Sequence, residues 1–452
     1  MKNLTEGNIY KNFLFFAIPV MLSSVFSQAY TTINTIIAGN FLGEEGLAAI
    51  GATASFVTFI ASLIWSFNLG VGIFTAKLFG AGEYKHLKIA VYNAIFLIFA
   101  VCVVIDIAVI TFRYSIYDFL NVDPAVLKEA DTYFVITILG NFLTSLINFF
   151  VCVYTSMGNS SFPFAMSVVS AVLNVGGNIL SVTVFGLGVA GIAISSILSA
   201  VIVNVVNIVK FKRCEKTLGI SDVKIKLSVE DIKTELKYSV PICLQQGVMS
   251  SASFIMSPII NGIGAAATAS YVVVQKIYDI NFIMYQSSSK TLTNYTAQAV
   301  GAKKFELIPK GVRVGMLQGL LFSLPMLICC FIFAQPICTL FFADGYSGEA
   351  FDYAFLFVRF YLPFTLFNLP NNMFHAFFRG IAAMKPLVIM TALGAASRIV
   401  ASFICVKYFG MEGIFIGWAI SWAVEVLFNL FTYFKFYRNT ELLKAHTSRK
   451  HN

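Results

Sequence analysis

The chain has 452 residues, of which 58% are hydrophobic and only 12% charged, with a mean hydropathy of +0.81 and a formal charge of +9. Soluble domains carry roughly twice that charged fraction, and apolar runs long enough to cross a bilayer recur along the sequence, so a soluble globular reading is excluded in favour of a polytopic helical membrane protein. The basic residues are spread over short loops, which is a membrane pattern and argues against nucleic acid as a partner.

At the N-terminus, Lys2 and Lys11 precede an apolar run over residues 13–25 and then Ser27-Gln28-Ala29, the layout of a signal peptide. A counterpart of this segment lies inside the second half, where no signal peptide could sit, so a retained first helix is expected. Hydropathy then predicts twelve spans. The first six cover residues 9–38, 46–76, 89–112, 131–156, 162–185 and 188–211. The next six cover residues 238–261, 266–296, 311–343, 350–378, 385–408 and 412–437. Several exceed the minimum for crossing, so tilt or extension past the bilayer is expected. Seven of the eight cysteines lie inside apolar runs without metal-ligand spacing and read as small core residues.

Between the sixth and seventh spans, residues 210–237 hold eight basic and five acidic side chains. Placing the N-terminus inside puts this connector inside with Lys77, Lys85, Lys88, Lys303, Lys304, Lys310, Arg313, Arg379 and Lys385. The opposite face receives Arg113, Lys128 and Lys407 with several acids. That asymmetry predicts a multi-pass protein of the cell membrane with both termini cytoplasmic. The expected organisation is an amino-terminal six-helix lobe over residues 1–211, a cytoplasmic connector over 212–236, a carboxy-terminal lobe over 237–438 and a tail over 439–452. The connector's charges are expected to be exposed, on a tether between lobes.

The two halves repeat. Ala17-Ile-Pro19-Val20 recurs as Ser239-Val-Pro241-Ile242, an offset of 222. Ala76-Lys-Leu-Phe-Gly80-Ala81 recurs as Ala297-Gln-Ala-Val-Gly301-Ala302, at 221. Pro163 matches Pro386, Phe185-Gly186 matches Phe409-Gly410, and Gly191-Ile-Ala-Ile-Ser195 matches Gly417-Trp-Ala-Ile-Ser421. Six spans per half make the halves enter the membrane in the same direction, a parallel repeat of the kind transporters use.

Taken together with Asn34-Thr-Ile-Ile-Ala-Gly39, Ala48-Ala-Ile-Gly51, Gly188-Val-Ala-Gly191, Pro241-Ile-Cys-Leu-Gln-Gln246, Gln275-Lys-Ile277 and Arg379-Gly380, these landmarks resemble the multidrug and toxic compound extrusion (MATE) family of secondary antiporters. The resemblance covers essentially the whole chain. It implies an all-α protein of two six-helix lobes forming a V around a central cleft, and efflux coupled to Na⁺ or H⁺ with no other cofactor. In many members an acid stands where Asn34 stands here, and another ends a pattern that reads here Asn174-Val-Gly-Gly-Asn178. An amide cannot titrate, although its carbonyl can ligate Na⁺. These departures argue against a proton switch of the usual kind in the amino half.

Ionisable residues inside a membrane are functional candidates by default. The amino half offers Asp106, near the end of its span, read as a snorkelling or structural residue. The carboxyl half offers Lys276, Asp279, Lys290, Arg359, His375, Arg398 and Glu425. Lys276 and Asp279 are one turn apart on one face. They read either as a self-neutralising pair or as an ion switch that Asp279→Asn would abolish. Glu425 is expected to pair with Arg398 across helices, and His375 is a gating or coupling candidate. Pro363 and Pro370, with Asn368, Asn371 and Asn372, are expected to form either a bending element or a static kink.

The resemblance places the first, second, seventh and eighth spans along the cleft. Their candidate substrate residues are Gln28, Tyr30, Trp65 and Asn68, then Gln245, Gln246, Met249, Tyr271, Gln275, Tyr278 and Tyr285. Aromatic faces attract organic cations, methionines repack around varied shapes, and amides supply neutral hydrogen bonds. The expected function is export of drugs or amphipathic, often cationic, metabolites in exchange for Na⁺ or H⁺ by a monomer in the lipid bilayer. The alternative is a lipid-linked saccharide flippase, disfavoured because the amino half has no basic residue deep in its spans to grip a pyrophosphate. No HExxH, GxSxG or paired-carboxylate motif supports an enzyme.

Overall fold

The computed structural model describes residues 2–342 and 348–437 with Glu441, Leu443 and Lys444; the side chains of Tyr30, Thr31, Thr32, Thr35, Glu44 and Phe436 lie outside the description. Most of the expected tail over residues 439–452 falls outside it as well. Every regular element among the described residues is helical. In the first half these are α1 (Ile9–Ala81), α2 (Tyr84–Thr111), α3 (Arg113–Leu120), α4 (Leu127–Leu139), α5 (Asn141–Ser156), α6 (Ser161–Thr183) and α7 (Gly188–Thr217). The second half has α8 (Val229–Ile263), α9 (Ala265–Gly301), α10 (Ile308–Ile332), α11 (Ala334–Thr339), α12 (Glu349–Leu356), α13 (Thr365–Gly380), α14 (Met384–Phe409) and α15 (Met411–Phe436).

Nine stretches among the described residues are long and apolar enough to cross a membrane, and the α4–α5 pair, bent by 45°, brings the number to ten. The remaining two of the twelve expected spans correspond to α8 and α9, of 35 and 37 residues. At 1.5 Å per residue each reaches roughly 50–55 Å, well beyond the hydrocarbon core. They miss on polarity, because α8 carries Gln245 and Gln246 and α9 carries Gln275, Asn281 and a Ser/Thr-rich second half. A helix with that many hydrogen-bonding side chains is poorly suited to face lipid on all sides.

The first two expected spans run together as α1, broken at Gly43, whose φ of 70° and ψ of −167° leave the helical region. A side chain would strain that backbone, so glycine sets where the chain turns. The tenth span is broken as Pro363 predicts. A π-helical turn at Phe357–Tyr361 and a 3₁₀ turn at Leu362–Phe364 separate α12 from α13. Proline has no N–H for the preceding turn, and the wider and tighter turns absorb the missing bond.

The chain forms two compact units whose borders differ from the expected lobes. One comprises residues 1–3 and 22–243, the other residues 4–21 and 244–452. Each half therefore lends a segment to the other unit. In the second unit the Leu4 N–H donates to Gln298 Oε1 at 2.8 Å, and Phe13 sets its edge on Tyr295 at 5.1 Å. In the first, Ser239 Oγ donates to the Phe67 carbonyl at 2.9 Å and Tyr238 stacks on Phe74 at 5.9 Å.

Most of the connector's charges are exposed as expected, but three of its five acids are not. α7 runs on to Thr217, α8 begins at Val229, and Glu215, Asp231 and Glu235 are buried. Lys88 Nζ meets Glu215 at 3.0 Å and donates to the carbonyls of Ile220 and Ser221 at 3.1 and 2.9 Å. His86 Nε2 lies 2.7 Å from Asp231. The α2 cations thus fasten the connector to the first unit. Removing one partner of a buried pair such as Lys88–Glu215 costs about 3–5 kcal/mol, because it strands the other charge.

Candidate functional site

Two polar clusters sit inside the helical bundles, one in each unit. In the first unit, the amide of Asn178 on α6 bridges two others. Its Nδ2 donates to Asn34 Oδ1 on α1 and to Asn174 Oδ1 one turn earlier, both at 2.9 Å. Asn174 Nδ2 then donates to Ser196 Oγ on α7 at 2.8 Å. Asn174 and Asn178 are buried, and Asn178 Oδ1 has no partner among the described residues. The three amides named from the sequence are thus brought together as a neutral ladder. They can hold and orient dipoles, but they cannot take up or release a proton.

In the second unit, Glu425 on α15 and His375 on α13 face each other, with Nε2 and Oε1 2.9 Å apart and both residues buried. This corrects the expected Glu425–Arg398 pair: His375, not Arg398, is the basic side chain beside Glu425. Gln245 of α8 lies behind the imidazole, with Nε2 3.4 Å from Nδ1 and 3.0 Å from Thr391 Oγ1 on α14. An amide N–H pointing at Nδ1 favours the tautomer whose proton is on Nε2, close to the carboxylate but not aligned with it as a hydrogen bond. Four helices therefore share one polar junction. Gly394 makes room for it, since a Cβ there would come within 3.0 Å of Glu425 Oε2.

The neighbouring turns extend the junction. Asn429, one turn after Glu425, donates from Nδ2 to Asn371 Oδ1 at 2.8 Å, and Asn371 Nδ2 donates to the Trp422 carbonyl at 3.0 Å. Thr391 and Asn429 were not singled out from the sequence, and Asn371 was named only as part of a bend. The available signal was spacing: Asn371 and His375, like Glu425 and Asn429, are four apart and so share a helix face.

The other candidates divide by surroundings. Asn68 is buried and donates to the Ser145 carbonyl and Oγ at 3.1 and 3.2 Å, which makes it a helix fastener. Tyr285 is buried, and its hydroxyl, like that of Tyr278, accepts from Asn368 Nδ2. Tyr271 accepts from Gln275 at 2.8 Å. Gln28, Trp65 and Gln246 are half-buried, Met249 is exposed, and Tyr30 lies outside the described side chains. Lys276 and Asp279 are exposed on α9 and make no ion pair within 4.0 Å among the described residues. Asp106 accepts from Asn141 Nδ2 at 3.0 Å.

The arrangement is that of a membrane carrier: long helices in two units, a neutral amide ladder in one and a titratable pair in the other. Comparison with known proteins agrees. The family model described as MatE matches twice, over residues 19–180 and 241–404, and its two matches begin at the repeated Pro19 and Pro241. The chain belongs to the MATE family of membrane transporters. It is 21% identical over 441 residues to the probable multidrug resistance protein YpnP of Bacillus subtilis, covering 96% of each chain. It is 22% identical to the probable multidrug resistance protein NorM of Thermotoga maritima, covering 90% of this chain and 89% of that one. Among solved structures, a MATE transporter in its straight conformation matches with a TM-score of 0.87 and 19% identity over 98% of this chain and 99% of the other. An outward-facing multidrug resistance MATE transporter matches at 0.86 and 21%, with coverage of 98% and 99%. These likenesses establish the all-helical MATE fold.

Proposed function

We propose that the protein is a secondary antiporter that exports amphipathic organic molecules across the cell membrane in exchange for Na⁺ or H⁺, with His375 and Glu425 as the coupling pair. Both termini face the cytoplasm in this reading, which rests on the distribution of Lys and Arg. The observation that carries the proposal is the buried 2.9 Å contact between Glu425 and His375, joined through Gln245 and Thr391 to two further helices. A proton or Na⁺ arriving at Glu425 competes with the imidazole for the carboxylate. Once that contact is released, Gln245 and Thr391 are free to change partners, so ion binding is felt on α8, α13, α14 and α15 together. A coupling ion acts only through such a difference between two states. The relatives' printed names, multidrug resistance proteins, support a drug-like cargo. Lys276 and Asp279 remain a second coupling candidate.

The test is substrate flux into or out of proteoliposomes under a Na⁺ gradient or a proton gradient imposed separately. One gradient is expected to drive export. Flux indifferent to both, with lipid scrambling in its place, overturns the antiporter reading in favour of a flippase.

A further inference from the structure

The release of Arg398 from the expected pair with Glu425 leaves an unusual group inside a membrane-spanning helix. Its guanidinium lies over the indole of Trp418, with Cζ 4.2 Å from the ring centroid. A charge at such a depth ordinarily finds an opposite charge. Among the described residues no carboxylate is paired with it, and its polar neighbours are the phenols of Tyr271 and Tyr278. Contact with a ring face satisfies the positive charge in part but offers the in-plane N–H groups no acceptor.

Three donors are left over. Arg398 Nε and Nη2 are shielded and unpartnered among the described residues, and so is Nε1 of Trp418, a residue only 2% exposed. None of these atoms can accept a hydrogen bond. The hydroxyl of Tyr271 accepts from Gln275 at 2.8 Å and also meets the Arg398 side chain, so it holds one edge of the guanidinium. Aromatic rings wall the group. Tyr271 and Tyr278 set edges to Trp418 at 6.0 and 5.4 Å, and Tyr278 stacks on Trp422 at 5.9 Å with an angle of 8°. Arg398 as a whole residue is only half-buried.

We propose that Arg398, Trp418 and Tyr271 form a recognition site for an organic anion, a flat aromatic body bearing a carboxylate. A planar guanidinium matches a carboxylate in a two-point contact, which an ammonium does not. The surplus of donors over acceptors rejects a cation or a neutral donor-rich group, while the surrounding rings take the aromatic body. The site lies wholly within the second unit. Taking its ligand to be exported cargo rests on the antiporter reading; the site itself does not.

The test uses the full chain in detergent, with calorimetric titration of 2-naphthoate, its neutral isostere 2-naphthamide and trimethyl(2-naphthyl)ammonium. Naphthoate is expected to bind best. Arg398→Gln should weaken naphthoate by roughly tenfold or more while leaving the amide unchanged. Arg398→Lys should restore only part of the loss. Trp418→Phe, which keeps a ring but deletes the N–H, should cost roughly threefold to tenfold for naphthoate alone. Thermal unfolding checks that each variant is folded; if Arg398→Gln is not, the wild-type preference and Trp418→Phe decide. Equal binding of naphthoate and the amide by the wild-type protein, or equal loss of both in the variants, overturns the site. Naphthoate that binds but is not exported from proteoliposomes overturns its role as cargo and leaves the antiporter reading to the ion-gradient assay.

Discussion

The amide ladder of the first unit and the acid–imidazole pair of the second are instructive side by side. Both are buried, both join several helices, and both arise from one duplicated plan. Yet they do not occupy equivalent positions. With the fifth- and eleventh-span offset of 223, Asn174 and Asn178 fall on Ser397 and Ala401. With the sixth- and twelfth-span offset of 226, Glu425 falls on Ser199, whose hydroxyl merely donates to the Ser196 carbonyl. Duplication kept the helices and their prolines, glycines and turns, because those fix packing. It did not keep the polar side chains, which can change position whenever a neighbouring helix supplies a new partner. The outcome is one network built of amides and one built around an acid and an imidazole.

The sharpest way to break this contrast is to make the second network neutral as well. Glu425→Gln keeps the shape of the junction but removes the charge that holds His375. Gradient-driven export should fall to the level of empty liposomes, with thermal unfolding close to wild type. Undiminished coupled flux would remove Glu425 from the mechanism. Asp279→Asn is expected to do less. Asp279 is exposed and has no ion partner within 4.0 Å among the described residues, and exposed charge interactions are worth about 0.2–1 kcal/mol. Export should drop by no more than a few-fold. If Asp279→Asn abolishes coupling while Glu425→Gln does not, the switch belongs on α9.

The amide ladder is predicted to matter for stability and hardly for coupling. Asn178→Ala removes two hydrogen bonds and strands the carbonyls of Asn34 and Asn174. A loss of about 1–3 kcal/mol is expected, read as a lower melting temperature in detergent. The response of export to an imposed gradient should survive. If that response disappears in a folded Asn178→Ala protein, the amides are ion ligands and the two units share the task.

Much of this fold was legible in the sequence because hydropathy, loop charge and repeated prolines act locally or on the whole membrane. The broken tenth span follows from Pro363, and the separation of the first two spans follows the polar stretch around Gly43. Partner choice was not legible. Glu425 had two basic side chains within plausible reach, and only the rotations of α13, α14 and α15 decide that His375 meets it while Arg398 turns to Trp418. The exchange of residues 4–21 between units was hidden for a similar reason, since it depends on Gln298 and Tyr295 almost 300 positions away. The buried acids of the connector were misread because loop charges are usually solvated, and nothing local reveals that Lys88 is folded against them.

One of those acids sharpens the comparison from outside the membrane. Glu235 lies in the first turns of α8, before the expected span; it is fully buried, and neither carboxylate oxygen has a partner among the described residues. Burial, and secondarily the charge of Asp231 one turn earlier, pushes its pKa up to about 8. The folded protein therefore holds a proton that the unfolded chain has released above its ordinary carboxylate range near 4.5. Stability from this group is fully present below that range, declines as pH rises and is lost once pH passes about 8. The amplitude is of the order of a few kcal/mol. Glu235→Gln should flatten the fall in melting temperature between acidic and alkaline pH and raise it at the alkaline end, with coupled export at neutral pH nearly unchanged. An unaltered slope would mean that another group titrates there. A flattened slope accompanied by lost coupling would place a second titratable switch in the unit whose membrane-embedded network is neutral, and the division between the two units would no longer hold.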